Sequence, residues 1–199
     1  MSGGLRQSDM FKVALVGHSL IPGHLEVPGC DVRCFRAPGG RARSFYHDYR
    51  MSQVLDWQHH LTILYLGGND IHPEVQPREI SDNLFDIIHS IEHYCGSKVS
   101  VVLLEPRQLP LVTRGLSRHI YRTIYQAVNR RLQRLLRGYQ TFQFGARPYR
   151  SNLRRDGIHW NRTAQAAQIA RYHEHIEQQR DQWRVYQAMA VGEERNYIV

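Results

Sequence analysis

Short apolar runs alternate along the chain with longer segments in which apolar residues recur every three or four positions. Phe11–Val16 (FKVALV) closes on Gly17 and predicts a buried strand. Val32–Phe35 predicts a shorter second strand, closed by Ala37-Pro38-Gly39-Gly40. Leu61–Leu66 (LTILYL) runs into Gly67-Gly68, Val99–Leu104 (VSVVLL) runs into Glu105-Pro106, and Thr141–Phe144 is a fifth candidate ending at Gly145. Between them, Ile80–Tyr94 repeats Leu84, Ile87, Ile88 and Ile91 at helical spacing, with Ser81 and Asp82 as candidate caps. Gly115–Arg137 predicts a second helix whose stripe is Leu116, Ile120, Ile124, Val128, Leu132 and Leu135, stopped by Gly138. Asn161 is placed to cap a last helix through Ala164, Ala167, Ile169 and Ile176.

Strands alternating with helices predict an α/β protein, a three-layer α/β/α sandwich around a mainly parallel sheet of about five strands. In such sheets functional groups gather beyond the carboxyl ends of the strands. The pattern sets one domain over residues 11–180, preceded by a flexible N-terminus at 1–10. From about Asp181 the periodicity dissolves, and 181–199 is expected to be a docked or frayed tail.

Composition narrows the class. The 199 residues are 42% hydrophobic and 10% aromatic, enough for a packed core and too apolar for disorder. Cys30 and Cys34 on one strand would lie about 13 Å apart, too far for a disulfide, and C-x3-C without a second pair is a poor zinc signature. Free thiols, a polar N-terminus without a signal-like run and the lack of an apolar stretch of membrane-spanning length predict a protein of the intracellular, cytoplasmic milieu. His59-His60 and His173-Glu174-His175 do not converge on one helical face, so both are expected to be solvated rather than metal-binding.

Four polar groups fall at predicted strand ends or loops. Ser19 follows the first strand in VGHSL, Gly39 and Gly40 follow the second, Asn69 follows the third in LGGND, and Asp156 and His159 stand together in RRDGIHWN. A nucleophilic serine needs a base to take its proton, a group to orient that base, and donors for the developing oxyanion. With Ser19 as that serine, His159 and Asp156 meet the first two needs. The Ser19 amide, a loop glycine amide and the Asn69 side chain meet the last. Taken singly, each group has a plainer role: Ser19 as a helix cap, Asn69-Asp70 and Asp156-Gly157 as turns. Their order along the chain favours the joint reading.

That set resembles the SGNH hydrolases, the GDSL-type serine esterases, over roughly Phe11 to Arg180. Its four blocks are Gly17-His18-Ser19-Leu20, the glycine of Pro38-Gly39-Gly40, Gly67-Gly68-Asn69-Asp70, and Asp156-Gly157-Ile158-His159. The first block departs from the family, which usually has aspartate where this chain has His18; a structural loop role is expected for that histidine. In the second block Gly39 is preferred, with Gly40 its neighbour. The nucleophile elbow of α/β-hydrolases fits less well, because Ile21 stands where its second glycine belongs. The resemblance implies a flavodoxin-like fold and hydrolysis of an acyl ester, short-chain or acetyl, through an acyl-serine intermediate. It implies no metal and no organic cofactor. Substrate shape would be set by loops at Ile21–Gly29, Arg41–Asp56 and Gln108–Arg114.

The charge suggests a second partner. The net charge is +8, and only Lys12 and Lys98 of the 26 basic residues are lysine. Between Arg107 and Arg162 stand thirteen arginines and one acid, Asp156. Arg118, Arg122, Arg130 and Arg134 lie broadly opposite the apolar stripe of their helix. A solvated face is the plain explanation, but interspersed acids would be expected there, so a phosphate-tracking surface for nucleic acid is the alternative function, with a vestigial hydrolase site. Similar esterase domains occur in proteins of some eukaryotic retrotransposons, joined to nucleic-acid binding, and the arginine bias suits such an association.

Overall fold

The computed structural model describes residues 10–105, 107, 115–142, 152–154 and 156–196. Five strands, β1 (Phe11–Gly17), β2 (Cys30–Arg36), β3 (Leu61–Tyr65), β4 (Lys98–Val102) and β5 (Gln140–Phe142), pair in the order β2-β1-β3-β4-β5. Every pairing is parallel. The helices are α1 (Ala42–Phe45), α2 (Tyr49–Asp56), α3 (Pro77–Cys95), α4 (Arg118–Leu135) and α5 (Arg162–Asn196).

Both faces of the sheet are covered, which is why β1 and β3 read as nearly unbroken apolar runs. Ala14, Val16, Leu64, Val99 and Val101 face a core completed by α1 to α4, through Met51, Val54, Ile87, Ile91, Val128 and Leu132. Val13, Leu15, Leu61, Ile63 and Tyr65 face the other core, completed by Tyr172 and Ile176 of α5 and by Ile21, Leu25 and Val27. The three-layer α/β/α architecture is therefore present, with one difference. The chain from β1 to β2 crosses without a helix, and its Ile21–Val27 stretch lies on the α5 side as part of the core.

Several local expectations change. Residues 41–56, expected to be a loop, hold α1 and α2; the carboxylate of Asp48 caps α2 by accepting from the Arg50 amide at 2.9 Å. Helix α3 starts at Pro77 with Gln76 before it, so Ser81 and Asp82 are interior rather than caps. The Ser81 hydroxyl donates back to the Arg78 carbonyl, and Asp82 instead ties α3 to α4 by accepting from Arg131 at 2.7 Å. On α4, Tyr121 is buried and Ile120 is 41% exposed. A 3.6-residue period places Tyr121, Ile124, Val128 and Leu132 on one stripe, which leaves Ile120 outside it. Asn161 does cap α5, its Oδ1 accepting from the Ala164 amide at 2.9 Å.

Residues 181–196 are not a separate tail. They continue α5, which spans 35 residues and so about 52 Å. Trp183 packs there on Phe11 and His60, with ring centroids 5.6 and 4.7 Å away. Of the expected flexible N-terminus, residues 1–9 lie outside the described residues, as do Gln108–Arg114 and positions 143–144 of the expected fifth strand. No helix among the described residues is long and apolar enough to cross a membrane.

Candidate active site

The sheet order explains the site. β1 is flanked by β2 and β3, so the loops leaving these three strands lie side by side at the carboxyl edge. β1 ends in Gly17 because nothing larger fits: a Cβ there would stand 2.6 Å from the Tyr65 carbonyl oxygen of β3. The chain then turns, with the Ile21 amide donating to the His18 carbonyl at 3.2 Å, and presents Ser19 at the turn.

Residues from the far end of the sequence meet it. The Oγ of Ser19 lies 2.9 Å from His159 Nε2 across 140 positions, and His159 Nδ1 lies 2.7 Å from Asp156 Oδ2. The other carboxylate oxygen, Oδ1, accepts the amides of Ile158 and His159 at 2.9 Å each. Desolvation would raise the Asp156 pKa, but those two amides and the imidazole outweigh it and hold the carboxyl at about 2. It is therefore ionised near neutrality. With Nδ1 donating to this carboxylate, the Nε2 lone pair faces the Ser19 hydroxyl, the tautomer a general base requires.

The expected oxyanion donors stand on the loops at this same edge of the sheet. Among the described residues the Ser19 amide has no acceptor. After β2, Ala37-Pro38-Gly39-Gly40 forms a turn closed by the Gly40 amide on the Ala37 carbonyl at 2.8 Å, with Gly39 at φ +73°, where its lack of a Cβ matters. Gly40 therefore does not offer its amide to an oxyanion, correcting its place in the expected donor set; the Gly39 amide has no acceptor among the described residues. The Gly40 carbonyl instead accepts from Asn69 Nδ2 at 3.0 Å. Arg107 donates to Asn69 Oδ1 at 3.1 Å, so the amide oxygen is held on the guanidinium side and the nitrogen toward the second loop.

Four residues of the site escaped sequence reading. Asp70, buried, accepts the amides of Ala42 and Arg43 at 2.7 and 3.2 Å. Burial raises its pKa against the pull of those amides. Arg107 has no motif to mark it. Arg36, the last residue of β2, donates to the Ser19 carbonyl at 2.9 Å, and Arg154 donates through Nε to the Trp160 carbonyl at 3.1 Å. His18, expected to have a structural loop role, is buried: its amide donates to the Tyr65 carbonyl and its Nδ1 accepts from the Leu20 amide at 3.2 Å. Burial, with Arg107 and His159 nearby, pushes its pKa well below the ordinary histidine value.

Within the two histidine clusters, His59, His60 and His175 are not fully solvated, contrary to expectation, while Glu174 is exposed. His59 is buried between the Trp57 carbonyl and Thr62 Oγ1, His60 accepts from the Lys12 amide at 2.9 Å, and His175 pairs with Ser100 Oγ at 2.9 Å. No group of three or more metal-ligating side chains gathers among the described residues. The helical arginines Arg118, Arg122, Arg130 and Arg134 are exposed on α4.

No family model and no curated protein sequence matches the chain. Solved structures do. A carbohydrate esterase family 3 protein from Talaromyces cellulolyticus superposes with a TM-score of 0.67 at 14% identity, covering 87% of this chain and 99% of its own. A GDSL-like lipase from Bacteroides thetaiotaomicron gives 0.68 at 14%, covering 89% and 92%. A candidate SGNH hydrolase from Slackia heliotrinireducens gives 0.65 at 14%, covering 83% and 98%. The chain has the fold of the SGNH hydrolases, as its four sequence blocks implied.

Proposed function

We propose that this protein is a serine esterase that hydrolyses a short-chain acyl ester, acetyl being the type case, through an acyl-serine intermediate. The observation that carries the proposal is the continuous line from Ser19 Oγ through His159 to the Asp156 carboxylate. Ser19 Oγ attacks the ester carbonyl as its proton passes to His159 Nε2. The resulting oxyanion is met by the amides of Ser19 and Gly39 and the side-chain amide of Asn69. His159 then returns the proton to the leaving alcohol as the C–O bond breaks, leaving the acyl group on Ser19. Water, deprotonated by the same imidazole, repeats the sequence and frees the acid. Asp156 orients the ring and stabilises the imidazolium throughout.

The cavity beside Ser19 measures about 110 Å³, well under the roughly 300–1,000 Å³ of sites for larger ligands, which supports a small group there. A carbohydrate acetylesterase from Sinorhizobium meliloti is among proteins of this fold (TM-score 0.61, 16% identity, 84% of this chain, 97% of its own), in keeping with the reading. The test is labelling of Ser19 by a fluorophosphonate, together with turnover of p-nitrophenyl esters from acetyl upward. Labelling at Ser19 and turnover falling with acyl length are expected. A protein that neither reacts nor hydrolyses any ester would overturn the proposal.

A second reading attaches to α4. Its sequence RHIYRTIYQAVNRRLQRL has no acidic residue, and Arg122, Arg130 and Arg134 have no carboxylate partner among the described residues. Such a face suits a nucleic-acid backbone, and it can coexist with the esterase site.

A further inference from the structure

The cavity at Ser19 has a charge pattern that a neutral acetyl ester does not need. Arg36 enters its wall from the end of β2 and Arg154 from the segment before α5, two elements far apart in sequence. Each guanidinium is held by one backbone carbonyl, Arg36 by Ser19 and Arg154 by Trp160, which fixes its place and leaves its other nitrogens for a ligand. Among the described residues neither arginine pairs with a carboxylate, and no Asp or Glu lines the cavity. A wall carrying two guanidiniums that no carboxylate neutralises is complementary to an anionic, acceptor-rich ligand.

We infer that this cavity selects esters carrying an anionic group, a carboxylate or a phosphate, within a few bonds of the scissile carbonyl, with Arg36 and Arg154 as the specificity-determining residues. Two guanidiniums converging from different elements, both pinned by carbonyls and neither neutralised, hold a positive potential beside the nucleophile. A planar fork also matches carboxylate or phosphate oxygens in pairs, which gives direction as well as charge. The same wall accommodates a neutral substituent poorly, because such a group would displace water from the guanidiniums without replacing its hydrogen bonds.

This inference rests on the esterase reading, and two arms keep their failures apart. The first compares hydrolysis of p-nitrophenyl hemisuccinate with its neutral methyl-capped counterpart, and of acetylglycerol phosphate with acetylglycerol. The expected kcat/KM is roughly 10- to 100-fold higher for the anionic member of at least one pair. The pair that shows it distinguishes a carboxylate on the acyl side from a phosphate on the alcohol side. In the double variant Arg36→Gln/Arg154→Gln the ratio should fall toward one. The second arm measures binding of the same four intact esters to Ser19→Ala protein by calorimetry, at low and high salt. The anionic ester should bind more tightly, and added salt should erode that advantage, a readout that stands even if the arginine variants fold poorly. Turnover of the neutral and anionic esters at equal kcat/KM, with equal binding to Ser19→Ala, overturns the inference and leaves the esterase reading intact. Discriminating binding without any turnover by the wild type supports the cationic cavity and overturns the esterase reading.

Discussion

The carboxylate of Asp70 accepts the Ala42 amide at 2.7 Å, joining the loop after β3 to the first turn of the helix that follows the β2 loop. Asn69 is its chain neighbour, and Gly40, whose carbonyl receives the Asn69 amide, lies two residues before Ala42. One buried side chain thus sets the spacing between two of the three proposed oxyanion donors. Asp70→Asn keeps the size but turns one oxygen into a donor facing an amide. We expect kcat to fall about 10-fold or more with KM little changed, and stability to drop by roughly 1–3 kcal/mol, the cost of a buried unmatched polar group. Steady-state kinetics beside thermal melting separate the two effects. Melting loss with unaltered kcat would reduce Asp70 to a structural role.

Ser19→Ala should abolish ester hydrolysis and fluorophosphonate labelling while leaving the melting temperature almost unmoved, since the half-buried hydroxyl fills little space. His159→Ala should cost nearly as much, and the double variant no more than the worse single one, because base and nucleophile act as a unit. Additive losses would mean that the 2.9 Å contact is not the working one.

Asn69→Ala should lower kcat by about 10²–10³-fold with little effect on KM, the cost of one oxyanion donor. Arg107→Gln should give a smaller loss of the same kind, because Arg107 holds the Asn69 amide in its orientation rather than meeting the substrate. A rise in KM at constant kcat for either would assign the residue to substrate binding. The kcat-against-KM split in single-turnover and steady-state assays decides it.

Acid should destabilise the fold through its buried and half-buried histidines. Burial lowers the His175 pKa from 6.5 to about 4, and burial also leads the downward shifts of His18, His59 and His60. Between pH 6.5 and 4 the unfolded chain binds a proton at His175 that the native protein does not. Stability is therefore full above that window and lost as pH falls through it, by up to about 3 kcal/mol for this residue alone. Denaturant titrations at pH 7, 6 and 5 should show a falling midpoint, and His175→Gln should make the fall shallower. An unchanged slope in that variant would refute the role of His175.

Replacing Arg118, Arg122, Arg130 and Arg134 with glutamine should leave small-ester hydrolysis intact, since all four are exposed on α4 and none lines the cavity at Ser19. If α4 tracks phosphates, the wild type should shift single- or double-stranded nucleic acid at low salt. The variant's slope of log K against log salt should then flatten by roughly 0.7–0.9 for each phosphate it no longer neutralises. No shift by the wild type at low salt ends the nucleic-acid reading.

The order of the sequence by itself determined the strands' approximate places, the layered class and the residues of the candidate triad. Those signals are local: an apolar run ending in glycine marks a strand end, and Asp156 and His159, three positions apart, bond to each other within one turn. The short helices at 42–56 are hidden from such reading because four- and eight-residue stretches carry too little periodicity to separate from loop. Helix α5 runs past Arg180, and there Trp183 settles against Phe11 and His60, residues of distant parts of the chain that local spacing does not reveal. The burial of the histidines is illegible for the same reason, since sequence spacing says nothing about which strand lies beneath a side chain. Only the tertiary structure decided that β1 lies between β2 and β3. That order brings Ser19, Gly39 and Asn69 to one edge, lets Asp70 and Arg107 hold the proposed donors in place, and sets Arg36 and Arg154 in the wall of one cavity. Sheet order and long-range side-chain contacts arise from how whole layers pack, and no local run of residues contains them.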